Sequence, residues 1–331
     1  IETRKNSMKD RFGREIDYLR ISITDRCNLR CVYCMPENGV VQISHEEILT
    51  YDEITRISRC MTGLGIRKIK LTGGEPLIRK NCATLVRMLK ELPGIEKVTL
   101  TTNGVLLEEQ IADLAEAGLD DINISLDTLN AAEFAKVTRR ESLDRVLEGI
   151  QAALQYPQIG LKINCVPVVE EQENLVSIAR LAKQYPIHVR FIEMMPIGYG
   201  KEFQFRGESE ICEILEKAYG RMTPIKERYG NGPCHYYKIE EFQGKIGFIS
   251  AMTHKFCDQC NRVRMTAEGF LKACLQYQTG TDLKNLMRSG CTDDELTEAI
   301  QKVIWEKPVS HHFTSEEIET DECKLMSQIG G

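Results

Sequence analysis

Between residues 18 and 192, short β-branched apolar runs alternate with longer stretches whose apolar positions recur every three or four residues. Runs of the first kind read as strands and stretches of the second kind as amphipathic helices. The pattern predicts strands at Tyr18–Thr24, Lys68–Thr72, Val98–Thr102, Asp121–Ser125, Leu161–Val166 and His188–Ile192. Helices are expected near Glu46–Met61, Ala83–Leu92, Leu107–Ala117, Leu143–Leu154 and Leu175–Lys183. Six such strand–helix units argue for an α/β fold with a parallel sheet and helices outside it. They are fewer than a closed barrel needs. Periodicity by itself does not separate a partial barrel from a doubly wound sheet.

The rhythm changes after Gly198. Lys201–Arg206 is irregular, Glu210–Ala218 reads as a helix, and Tyr229-Gly230-Asn231-Gly232-Pro233 is turn-rich. Tyr236–Phe242 and Lys245–Ser250 predict a hairpin around Gln243-Gly244. Helices at Asp282–Met287 and Asp293–Trp305 follow, with Thr292 or Asp293 as a cap. A soft boundary is placed near residue 230, dividing a core of residues 1–230 from a C-terminal unit of residues 231–331. No internal repeat or low-complexity tract interrupts the chain.

Composition narrows the class. A 331-residue chain that is 42% hydrophobic and 28% charged is that of an ordinary globular protein. A net charge of −6 offers nucleic acid no bulk attraction, so any anionic ligand must meet a local group of cations. No apolar run is long enough for a membrane span, and Ile1–Asp17 lacks the apolar core of a secretory signal. The expected location is the cytoplasm. Thirteen cysteines, clustered in a chain of this length, point to metal ligation rather than a disulfide scaffold.

The densest cluster is Cys27-x3-Cys31-x2-Cys34, directly after the first expected strand. Thiolates are soft ligands that select zinc, copper(I) or iron–sulfur clusters. A structural zinc site closes with four ligands, and no further Cys or His follows this trio until His45. Three thiolates on a four-iron cube would leave one iron open, which is a catalytic feature. Buried thiols acting as small hydrophobes are the bland alternative. A second trio, Cys257-x2-Cys260-x13-Cys274, reads either as another cluster site or as a zinc knuckle completed by His254 or another cysteine. Within it, Arg262 and Arg264 share one face of a probable strand. Cys60, Cys82, Cys165, Cys212, Cys234, Cys291 and Cys323 read as free thiols, and His311-His312 as a solvated pair.

Other chemistry-bearing residues follow the strands. Gly73-Gly74-Glu75-Pro76 is either a tight turn or a close approach of backbone to ligand. Asn103-Gly104 and Asp127 are a turn and a helix cap on the plain reading. Arg20, Lys70, Lys162 and Arg190 recur within four strands. They are either solvated edges or cations converging on a polyphosphate.

With Tyr33 before its last cysteine, the first trio resembles the hallmark of the radical S-adenosylmethionine (SAM) superfamily, whose members fold as open, six-unit partial barrels. The second trio, Asn261-Arg262-Val263-Arg264 and the closing Gly330-Gly331 extend the resemblance to the GTP 3′,8-cyclase family, from about Arg11 to Gly331. It implies a partial (β/α)6 TIM-like barrel with a smaller C-terminal iron–sulfur domain. Cys27, Cys31 and Cys34 would hold one [4Fe-4S] cluster, and Cys257, Cys260 and Cys274 a second. SAM would meet Tyr33, Gly74, Glu75, Ser125 and Met195. GTP would meet Arg20, Lys70, Thr101, Lys162, Arg190, Arg262, Val263 and Arg264, with catalytic roles for Arg262, Gly330 and Gly331.

The implied reaction is the first step of molybdenum-cofactor biosynthesis. A 5′-deoxyadenosyl radical takes hydrogen from C3′ of GTP, and attack on C8 gives 3′,8-cyclo-7,8-dihydro-GTP. Implied partners are a flavodoxin-like or ferredoxin-like electron donor and a downstream cyclic pyranopterin monophosphate synthase. Nucleic acid and membrane are not expected, and a homodimer is left open. The alternative is another two-cluster radical SAM enzyme, acting on a peptide or in a heme pathway.

Overall fold

The apolar runs fold as strands because β-branched residues pack well on a pleated surface covered on both faces. In the computed structural model, which describes residues 8–313 and 321–330, they form β1 (Tyr18–Ser22), β2 (Lys68–Thr72), β3 (Lys97–Thr102), β4 (Asp121–Ser125), β5 (Gly160–Cys165) and β6 (His188–Ile192). Each is parallel to the next, in chain order. Helices α1 (Tyr51–Gly63), α2 (Cys82–Lys90), α3 (Leu107–Glu116), α4 (Ala131–Thr138), α5 (Leu143–Ala153) and α6 (Gln172–Gln184) lie between them. Their apolar faces join one core with the strands, as where α5 buries Leu143, Val146 and Ile150.

The rest of the chain adds to this sheet on both edges. After α7 (Glu208–Tyr219) come β7 (Thr223–Ile225), β8 (His235–Lys238), β9 (Ile246–Ile249), β10 (Arg262–Met265), β11 (Phe270–Lys272) and β12 (Gly280–Asp282). Strand β9 runs parallel to β6, and β10 runs parallel to β1. The twelve strands follow the order β12-β11-β10-β1-β2-β3-β4-β5-β6-β9-β8-β7. Among the described residues the two ends do not pair, so the barrel is partial. Helices α8 (Leu283–Arg288), α9 (Asp293–Trp305) and α10 (Met326–Ile329) complete the fold. Gly331 lies outside the described residues.

The expected elements differ from the observed ones mainly at their ends. The first helix begins at Tyr51 rather than Glu46 because Thr50 caps it: its hydroxyl accepts from the Glu53 amide, and Glu53 accepts from the Thr50 amide at 2.8 Å. Helix α4 was not anticipated. It is eight residues long with only Phe134, Val137 and Thr138 buried, too few to write a periodic signal. Strands β7, β11 and β12 have three residues each and leave no pattern either. Expected strands 4 and 6, the hairpin near Gln243-Gly244, and the helix Asp293–Trp305 capped by Thr292 are all present.

His188, at the start of β6, couples this packing to pH. Its Nδ1 accepts from the Lys245 amide at 3.1 Å, and its ring packs on Tyr229 with centroids 4.5 Å apart. Burial, then the charges of Lys162, Lys245 and Arg190, push its pKa down to about 4. The unfolded chain takes this proton near pH ~6.5. Between those values the unfolded state binds more protons, so stability is full above the window and declines as pH falls through it. Replacing His188 with Gln is expected to flatten the loss of stability between pH 7 and pH 4. Urea midpoints across that range check this, and an unchanged slope would reject it.

Candidate functional site

Side chains alternate across a strand, so one set from each strand of a curved sheet faces inward. The parallel register sets Arg20 of β1 level with Lys70 of β2 on one side and Arg264 of β10 on the other. Asn123 of β4 stands level with Thr101 of β3 and Lys162 of β5, and Asn164 of β5 with Arg190 of β6. These residues line one cavity of ≈ 280 Å³, whose wall also carries Arg262 and all three cysteines of the first trio.

The cavity holds more positive than negative charge. Lys70, Lys162, Arg190 and Arg264 are 3–7% exposed. Lys162 pairs with Asp121 at 2.6 Å, while Arg190 is oriented by the neutral Asn164 through Nε at 2.9 Å. Lys70 makes no ion pair among the described residues, and burial with the nearby Arg190 and Arg20 pushes its pKa well below the ordinary lysine value. Burial and the charges of Arg20 and Arg262 lower Arg264 likewise. Other acids of the lining are spent on protein donors. Glu75 accepts from Thr102 Oγ1 and the Asn103 and Leu77 amides, and Glu193 from the Met252 and Thr253 amides. Buried cations without counter-charges are costly, and an anionic ligand relieves that cost.

The cysteine loop is fastened at two points. The amides of Gly74 and Glu75 donate to the carbonyls of Thr24 and Arg26 at 2.8 and 2.7 Å. A Cβ on Gly74 would lie 2.3 Å from the Arg26 carbonyl oxygen, and one on Gly73 would lie 2.7 Å from that of Thr24. The glycine pair therefore lets two loops touch, in addition to facing the cavity. On the other side the Tyr33 hydroxyl donates to Asp127 Oδ2 at 2.7 Å, and burial raises the Asp127 carboxyl to about 6. Ser125 and Met195 complete this end of the cavity.

Burial raises the thiol of Cys27 to about 11 and that of Cys34 to about 12, so a metal must displace their protons to bind. Among the described residues, no three or more His, Cys, Asp or Glu close on a single ion. Cysteines that serve separate corners of an iron–sulfur cube stand farther apart than ligands of one ion. Three soft donors on one wall, without a fourth, thus fit a cluster with an open corner.

The second trio lies next door. Cys257 opens a short 3-10 turn, Cys260 precedes β10 and Cys274 follows β11. Cys260 lines a second cavity of ≈ 430 Å³, which shares Arg262 and residues 231–234 with the first. Burial favours the Cys260 thiol, but Lys307 and Arg262 overcome it and lower its pKa to about 6. His254, the candidate fourth ligand of a zinc knuckle, turns its Nδ1 to Glu208 at 3.6 Å. The expected solvated histidine pair is corrected: His311 is buried, and His312 is half-buried between Tyr277 and Asp321.

Not every expected residue meets in the cavity. Val263 is fully buried in the core, because its neighbours Arg262 and Arg264 take the inward face of β10. Gly330 reaches the strand ends instead of fraying. Its carbonyl accepts from Arg264 Nη1 at 3.0 Å, and its φ is +74°. A Cβ there would stand 2.8 Å from Ser22 Cβ and from Thr72 Oγ1. Several site residues escaped the sequence reading. Asp121, Asn123 and Asn164 are polar residues on the inward phase of strands, a signal that was available. Arg14, which donates to the carbonyls of Cys257, Pro308 and Val309, and Lys307, which donates to those of Arg262 and Ala273, gave none.

Comparison with known proteins agrees with this geometry. Residues 21–182 match the family model "Radical SAM superfamily", and residues 187–313 match "Molybdenum Cofactor Synthesis C". A GTP 3′,8-cyclase of Clostridium perfringens is 46% identical over 326 residues, covering 98% of this chain and all of the relative. One from Syntrophomonas wolfei is 43% identical over 328 residues, with the same coverage. Among solved structures, Streptococcus suis SuiB bound to its precursor peptide SuiA aligns with a TM-score of 0.65 at 16% identity. That alignment covers 89% of this chain and spans 65% of the SuiB chain, and it speaks to the fold alone.

Replacing Gly74 with Ala should separate the two loops and empty the first trio. Bound iron is expected to fall from about eight to about four per chain, the content of one cube. Gly63→Ala, where a Cβ meets nothing within 4 Å, serves as the control and should keep all of it. Parental iron content in the Gly74 variant would rule out this role for the glycine pair.

Proposed function

The chain belongs to the GTP 3′,8-cyclase family of radical SAM enzymes, and from that premise we propose that it converts GTP to 3′,8-cyclo-7,8-dihydro-GTP in molybdenum-cofactor synthesis. One observation carries the reading: surplus buried cations face the same cavity as the three-cysteine loop. A triphosphate supplies the missing negative charge, and the cysteine loop supplies a place for radical chemistry.

Cys27, Cys31 and Cys34 would hold one [4Fe-4S] cluster, and Cys257, Cys260 and Cys274 the other. Tyr33, Gly74, Glu75, Ser125 and Met195 would hold SAM. When bound, a reduced cluster and SAM supply a 5′-deoxyadenosyl radical. The chain's own part is binding, orientation and exclusion of water. Arg20, Lys70, Lys162, Arg190 and Arg264 would grip the triphosphate through charge-assisted hydrogen bonds. Arg262, on the wall between the two cavities, would orient the purine side, with Thr101 on the ribose side and Val263 contributing backbone. Fixing one C–H bond against the radical is what selects C3′ over the other C–H bonds within its reach. Gly330, held by Arg264 at the strand ends, would bring the glycine pair into the mechanism.

The wider reading is a cytoplasmic enzyme with a core through residue 230 and a C-terminal unit beyond it. No helix among the described residues is long and apolar enough to cross a membrane. A flavodoxin-like or ferredoxin-like protein would supply electrons, and a cyclic pyranopterin monophosphate synthase would take the product.

Anaerobic turnover with SAM, a reductant and each nucleoside triphosphate tests the assignment. 5′-Deoxyadenosine and a cyclised nucleotide should appear together with GTP alone, and cyclisation of another triphosphate at the same rate would overturn it. Lys70→Met keeps the stem and removes the charge. GTP binding should weaken roughly ten- to a hundredfold, the effect of losing one charged hydrogen bond, with SAM affinity unchanged. Equal losses for both ligands would contradict the division of the cavity.

The tail has its own test. A variant lacking Gly330 and Gly331 is expected to retain both clusters and GTP binding but to lose cyclisation. Product formation at the parental rate would remove the tail from the mechanism.

A further inference from the structure

The turn-rich stretch that follows β7 forms the wall between the two cavities. Gly230, Asn231, Gly232, Pro233 and Cys234 line the first, and residues 231–234 also line the second. This strap lies against three cations of the site. A Cβ built on Gly230 would stand 3.7 Å from Arg190 Nη1 and 3.9 Å from Lys162 Cε, and one built on Gly232 would stand 4.0 Å from Arg262 Nη1.

The strap is held in place by its backbone. The carbonyl of Asn231 accepts from Asn261 Nδ2 at 3.2 Å, and the same Nδ2 donates to Asp17 Oδ1 at 2.6 Å. The side chain of Asn231 is left over. Its Nδ2 is buried and has no hydrogen-bond partner among the described residues. A buried amide donor without an acceptor costs free energy, and such groups need a reason to persist. The nearby Arg190, Lys162 and Arg262 are themselves donors and cannot satisfy it. Asn231 lines both cavities, and among three cations the favoured acceptor to complete its amide is an anionic oxygen.

We infer that Asn231 is a substrate-binding residue whose side-chain amide donates to a phosphate oxygen of the nucleotide, so that the 230–233 strap closes over the polyphosphate. This rests on the assignment of GTP as substrate. The cations then supply charge, and Asn231 supplies direction: an amide donor has a preferred line of approach, which a cationic field lacks. The contact belongs to binding rather than to chemistry, so its loss moves KM more than kcat.

The test uses the cluster-loaded enzyme under anaerobic conditions, with GTP and inorganic tripolyphosphate as probes. Asn231→Ala is expected to raise Kd for GTP and for tripolyphosphate by a similar factor, roughly five- to tenfold, with iron content and SAM affinity unchanged. Asn231→Asp has nearly the same shape but places a carboxylate beside the cations, where it competes with phosphate. It should weaken both probes further, roughly a hundredfold. Parental affinity of the Ala variant for tripolyphosphate overturns the inference, including the case in which GTP alone is weakened, since that places the contact on the base or ribose. A parent enzyme that binds neither probe overturns the GTP assignment itself, and this inference with it.

Discussion

Positive charge held out of water at the centre of the sheet is the constraint on which the rest of the structure depends. Parallel register brings Arg264, Arg20 and Lys70 level on three neighbouring strands, and Lys162 and Arg190 follow on two more. Inside a cavity, like charges repel far more strongly than at a surface. Asp121 pairs with Lys162, while the neutral Asn164 orients Arg190. Further carboxylates there would stabilise the empty protein, and each would then compete with an anionic ligand. The site is kept short of negative charge, at some cost in stability, so that ligand binding recovers what folding forgoes.

Rigid attachment of the cysteine loop is the second requirement, because a metal cluster can be no better placed than the backbone that bears its ligands. That backbone is clasped between Gly73-Gly74 on one side and the Tyr33–Asp127 hydrogen bond on the other. Glu75 extends the clasp. Its carboxylate gathers donors from Thr102 and Asn103 at the end of β3, so the second and third strand ends move as one piece. Burial raises its pKa to about 7, and the three donors work against that rise by stabilising the ionised form. Asn103 in turn donates to Asn28 at 2.7 Å, returning the network to the cysteine loop.

The C-terminal third completes the sheet as well as the site. Exposed edges of β1 and β6 would present unpaired backbone groups, and β10 and β9 cover them. Because β10 pairs with β1 in parallel register, the backbone already sets Arg264 level with Arg20, and Arg262 is placed two residues before it. The tail is tied down in the same region. Glu322 pairs with buried Lys272, Ile329 packs with Ile197 and Leu275, and Gly330 ends against β1 and β2.

Local sequence by itself determined β1 to β6, the β8–β9 hairpin and β10, most of the helices and the two cysteine trios. These follow from features a few residues long: β-branched runs, 3.6-residue periodicity, thiol spacing and caps such as Thr292. It also carried the inward cations, since Arg20, Lys70, Lys162 and Arg190 stand out as charges within apolar strands. Only the tertiary structure decided which edges β9 and β10 join, that Val263 faces the core, and that His311 is buried. It alone decided that Gly74 is needed for contact between loops, and that Arg14 and Lys307 hold the carbonyls around the second trio. Each of these depends on a partner far away along the chain, and a residue's local pattern holds no record of what a distant segment will bring against it.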